Sequence, residues 1–180
     1  MSFVGPTRRV VGEGAEAVGA WGEAECYAMS DTTAVTFAGW TTDATRYIRA
    51  YTPAAERHTG LPDTGYRLEL TAAFAQPILL SDVTMTIYIE GLSIDNTGST
   101  AYGIDNTAST AGEKRISYCL IRTTGATPNY GISIPDTFGT YKIWNNIILN
   151  FDKNIRISFG AAGSTQIVYN NTCADAVTFG

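Results

Sequence analysis

The sequence predicts an all-β protein, a right-handed parallel β-helix closed at its N-terminal end by a capping helix. Three observations predict it: a texture of short β-branched and aromatic runs after residue 31, two interleaved repeat series from residue 88 onward, and few charges. Charged residues make up 16% of the 180 positions and hydrophobic ones 44%, enough for one sizeable core with a surface of neutral polar groups. The reading divides the chain into an N-terminal arm and capping helix over 1–32 and a parallel β-helix over 33–180.

The helix is expected over residues 14–28, where Glu16, Ala17, Ala20, Glu23, Ala24 and Glu25 are good helix formers and Val18, Trp21 and Tyr27 add an apolar side. Strands are expected over 34–37, 47–51, 66–70 and 83–89, separated by Gly, Pro, Asp, Asn and Thr.

Tyr88-Ile-Glu-Gly91, Ile116-Ser-Tyr-Cys119, Ile143-Trp-Asn-Asn146 and Val168-Tyr-Asn-Asn171 align as one series of blocks. Gly103-Ile104, Gly131-Ile132, Asn154-Ile155 and Ala176-Val177 form a second. A coil that uses about two dozen residues per circuit produces two series in constant order. The alignment stacks Tyr88, Ile116, Ile143 and Val168 in the core, and likewise Leu92, Leu120, Ile147 and Thr172 above one another inside the coil. Ile104, Ile132, Ile155 and Val177 line a second wall. Gly91, Cys119, Asn146 and Asn171 fall at the bend between inward positions, where Gly and Asn best tolerate left-handed backbone and stacked asparagines can bond along the axis. An antiparallel sandwich also spaces its strands by about 8–12 residues. It calls for two-residue Asn-Gly or Asp-Gly hairpins, and no such dipeptide stands between these strands.

The block Gly39-Trp40-Thr41-Thr42-Asp43-Ala44-Thr45-Arg46-Tyr47-Ile48-Arg49-Ala50-Tyr51-Thr52-Pro53, continuing through Glu56-Arg57-His58-Thr59-Gly60, resembles the opening segment of pectate-lyase-like right-handed β-helix proteins of phage and environmental bacteria. Ile89-Glu90-Gly91-Leu92, Trp144-Asn145-Asn146-Ile147-Ile148 and Tyr169-Asn170-Asn171-Thr172 are similar to that group's coil repeats. The resemblance covers most of the chain. It implies the fold and little about activity, since the scaffold carries lyases, hydrolases, tailspikes and structural parts alike.

No catalytic constellation is expected. His58 is the only histidine, has no nucleophile-elbow sequence to serve, and reads as structural. Asp95 and Asp105, in the duplicated Ile-Asp-Asn-Thr of 94–97 and 104–107, are weak calcium candidates, because Asp-Asn before Thr is more often a turn device. Trp21, Trp40 and Trp144 could face sugar rings, but cap or core packing is the plainer reading. Cys26, Cys119 and Cys173 lack metal spacing or an activating neighbour. Asn170-Asn171-Thr172 matches a glycosylation sequon that reads as a turn, and no cofactor is implied.

A net charge of -5 without a basic run argues against nucleic acid, and no stretch approaches the length of a membrane span or a signal peptide. Ala176-Val177-Thr178-Phe179-Gly180 reads as a strand with no closing segment, so the C-terminal end is expected to be open or truncated. Three functions follow as expectations. The first is a non-enzymatic structural protein of a phage virion, as capsid decoration or tail fibre or spike, partnered by copies of itself or other virion proteins. The second is a polysaccharide-degrading or glycan-binding β-helix. The third is a self-assembling extracellular filament subunit.

Overall fold

The computed structural model describes residues 10–11, 22–43, 45–81, 85–99, 101–107, 112–125, 128–134, 139–158 and 163–174. They form a parallel β-solenoid whose circuits visit three sheets in constant order. Sheet I holds Val10–Val11, Gly22–Glu25, Ile48–Tyr51, Ile87–Glu90, Glu113–Ser117, Thr140–Trp144 and Thr165–Tyr169. Sheet II holds Ser30–Asp31, Arg67–Leu70, Ser93–Asn96, Leu120–Thr123, Ile147–Leu149 and Thr172–Ala174. Sheet III holds Val35–Phe37, Ile78–Leu80, Ala101–Asn106, Pro128–Ile134 and Lys153–Ile157. Every described pairing is parallel except that of Val10–Val11 with Gly22–Glu25.

Alternation along each strand sends one set of side chains into the shaft. In sheet I, Ala50, Ile89, Ile116, Ile143 and Val168 stand in register, one per rung. Ile89, Ile116 and Ile143 are buried, whereas Val168, with a described rung on one side only, is 43% exposed. Leu68, Ile94, Ile121, Ile148 and Cys173 form the corresponding row of sheet II. Ile78, Ile104, Ile132 and Ile155 form that of sheet III. β-Branched residues suit these rows because their stiff side chains pack against identical neighbours one rung away.

Four sequence expectations change. The 14–28 helix is contradicted over its C-terminal part, because Gly22–Glu25 is a strand paired with Ile48–Tyr51. Its alternation directs Glu23 and Glu25 to arginine and tyrosine partners, and Gly22 leaves room for Trp40, 3.6 Å from where a Cβ would stand. Residues 12–21 and Val177 lie outside the described residues, as do the final positions on which the open end was argued.

Tyr88 is not a core residue. The first step of the repeat is 27, not 28, so Ile89 lies over Ile116 while Tyr88 pairs with Arg115 on the outer side. The same step puts Ser93 beside Leu120, so Leu92 does not stack on it. Leu92 enters the core, whereas Leu120, Ile147 and Thr172 alternate out of the inner row; Leu120 is nonetheless fully buried, and a Cβ on Gly60 of the 52–66 loop would stand 3.6 Å from Ile147. Finally, the left-handed residues at the corner are Gly91 (φ 74°), Tyr118 (55°), Asn145 (56°) and Asn170 (52°). Asn146 and Asn171, like Cys119, sit one place later.

That later place is used for a ladder. Asn146 Nδ2 donates to Ile116 O (3.0 Å) and to Asn171 Oδ1 (2.9 Å), its Oδ1 accepts from Cys119 N (3.0 Å), and Asn171 Nδ2 donates to Ile143 O (3.0 Å). The amides thereby satisfy backbone groups that a tight corner leaves buried.

Candidate functional site

Outward residues of sheet I form an interlocked face of carboxylates, cations and rings. Arg49 reaches Glu23 (3.3 Å) and Glu90 (2.7 Å), and its guanidinium lies 4.0 Å from the centre of the Tyr51 ring. Arg57 enters from the 52–66 loop and ion-pairs with Glu90, its Nε donating to Thr52 O (3.0 Å). Burial alone would raise the Glu90 carboxyl, but bonds from Arg49 and Arg57 outweigh it and hold Glu90 below its usual range. Glu113 is depressed in the same way, with Lys142 (2.9 Å) and Arg115 overcoming its partial burial. Tyr88 packs at a tilt against Tyr47 (4.4 Å between centres) under Arg115 (4.2 Å), and Trp144 lies parallel to Tyr169 at 6.1 Å.

Gly91 makes the Arg57 contact possible, since a Cβ there would come within 2.7 Å of Arg57 Nε. Arg57 also covers the Tyr118 ring (5.2 Å), and His58 Nε2 lies 2.7 Å from Tyr118 O while its Nδ1 accepts from Gly60 N–H (3.2 Å). The ring is therefore the neutral Nε2–H tautomer, a loop fastener without a nucleophile beside it.

Asp95 and Asp105 do not meet in one site, for they lie on sheets II and III. Asp95 is 2% exposed and ion-paired to Arg122, which also reaches Asp63 (3.5 Å). Asp105 accepts from Gln76 Nε2 (2.7 Å). Burial raises its carboxyl, with Ser133 and Arg156 pulling the other way. Asp95 thus has a guanidinium beside it and Asp105 an amide, and no three acidic, His or Cys side chains among the described residues are placed to hold a metal ion. Burial pushes the Cys119 thiol up to about 12, and burial followed by the Asp31 charge does the same for Cys26, so neither is an available nucleophile.

Sequence reasoning missed the sheet I face and a second cluster at the start of sheet III: Tyr102, Tyr130, Asn129, Lys153 and Arg156. Their signal was the offset of 23 between Tyr130 and Lys153, which the Ile132 to Ile155 repeat already contains. No family model, no curated protein and no solved structure matches this chain.

Proposed function

We propose that this chain is a non-enzymatic structural protein of a phage particle, a right-handed rod serving in a capsid decoration, tail fibre or spike, with copies of itself or other virion proteins as partners. The observation that carries the reading is the pairing of carboxylates. Glu23, Glu90, Glu113, Glu69 and Asp95 are each tied to arginine or lysine. Glycoside cleavage calls for two opposed carboxyl groups of which one keeps its proton near neutrality. Glu90 and Glu113 are shifted the wrong way for that task. Asp105, shifted the right way, has an amide, a hydroxyl and a guanidinium around it. A face rich in Arg, Tyr and Trp matches the composition of protein contact surfaces. The resemblance to pectate-lyase-like coils supports the phage setting by analogy of fold alone.

Electron microscopy of the native material, paired with incubation on a panel of polysaccharides, tests the proposal. Elongated assemblies or particle-bound rods that leave every polysaccharide at its starting length are expected. Monodisperse monomers that shorten a polysaccharide, and stop doing so in Glu90→Gln or Asp105→Asn, overturn it.

A further inference from the structure

Six arginines and Lys142 are ion-paired to carboxylates, and Lys114 is buried in the shaft. Lys153 and Arg156 differ: among the described residues neither forms an ion pair, and both converge on one ring. Lys153 Nζ lies 5.4 Å and Arg156 Cζ 4.7 Å from the centre of Tyr130. Tyr102 stands on the neighbouring rung with its ring centre 5.8 Å from that of Tyr130, and its hydroxyl accepts from Asn129 Nδ2 (2.9 Å). The tyrosines are half-buried and Lys153 is exposed. On a chain of net charge -5, this sets two cations without a carboxylate in ion-pair contact among the described residues beside an aromatic floor.

We infer that this cluster is a binding site for an anionic saccharide, a sugar bearing a carboxylate or sulfate group. The chemistry divides in two. A pyranose ring lays its C–H face against tyrosine, while its acid group draws Lys153 and Arg156 from their cation–π contacts into charge-assisted hydrogen bonds, which are stronger. Two cations are too few to follow a phosphate backbone. Asp105 sits in the same row, two rungs from Arg156 with Ser133 between them, bonds to Gln76 and Ser133, and opposes the ligand's charge. The site is independent of the structural role proposed above, and gives a rod a place to hold a charged surface.

The test uses the full chain, immobilised, with three probes of one backbone: dextran sulfate, carboxymethyl dextran and neutral dextran. Binding of one or both charged polymers, weakening as salt rises, with no binding of neutral dextran, is expected. Lys153→Gln with Arg156→Gln lowers affinity by about tenfold or more, Asp105→Asn raises it, and Lys142→Gln on sheet I leaves it unchanged. Matching melting curves establish that the variants are folded, and Arg156→Lys retains part of the affinity. Equal binding of neutral dextran, no binding at low salt, or a loss in Lys142→Gln as large as in the double variant overturns the inference.

Discussion

At the scale of single residues, the least ordinary choice is Tyr118, a bulky side chain in left-handed backbone where the other circuits use Gly91, Asn145 and Asn170. Its carbonyl receives His58, so the strained corner is also where the 52–66 loop is fastened. That fastening depends on pH. Burial lowers the His58 pKa below its ordinary 6.5 and the Arg57 charge adds to this, against the pull of the Tyr118 carbonyl. Arg57 is the charged group that acts on it, and protonation of Nδ1 would set N–H against the Gly60 N–H. Because the folded pKa is depressed, the unfolded chain takes up the proton first, and stability present above about pH 6.5 declines as pH falls below it. The melting temperature of the wild type should drop more between pH 7.5 and 5.5 than that of His58→Gln; parallel curves would refute the fastener. Asp95 supplies a second prediction. Arg122→Met strands a buried carboxylate and should cost about 3–5 kcal/mol in urea unfolding, while Asp95→Leu with Arg122→Met should recover most of the loss.

At the scale of elements, strands were legible where the pattern alone decides them: Val35–Phe37, Ile48–Tyr51 and Arg67–Leu70 fall inside the expected runs. Register was less legible, for a specific reason. Asn146 and Asn171 directly follow the left-handed Asn145 and Asn170, and Tyr118 holds the left-handed place of its own circuit, so pairing Gly91 with Cys119 shifts the whole first block by one. A one-residue slip exchanges inside for outside, which is why Tyr88 reads as a shaft residue in the place that Ile89 fills. The helical reading of 22–25 failed because alanine and glutamate suit a helix locally, whereas here the glutamates are held by Arg49 and Tyr51 on the adjoining rung. The asparagine ladder gives this scale its own test. Asn146→Ala removes the partners of Cys119 N–H and Ile116 C=O together and should destabilise by about 2–4 kcal/mol, whereas Asn145→Gly, at the left-handed place, should change little.

At the scale of the whole molecule, the three sheets share one shaft, so a defect in one rung is felt by the rungs on both sides. Ile132 is fully buried between Ile104 and Ile155, and Ile132→Ala should cost about 2–5 kcal/mol in chemical denaturation, with Ile132→Asp failing to fold. The architecture was legible because repetition marks the sequence itself. The anionic-sugar cluster was not, because its members become neighbours only through the coil, which carries Lys153 and Arg156 under a tyrosine one circuit earlier. Corner length sets where such a molecule accepts change. Between sheets I and II the later circuits turn in two residues, 91–92, 118–119, 145–146 and 170–171, but the second circuit spends 52–66 on the same corner. A foreign peptide grafted into the exposed tip at Leu61 would thus ride on the rod as an outboard passenger, while the identical graft at 145–146 would act as a wedge, prising consecutive storeys apart.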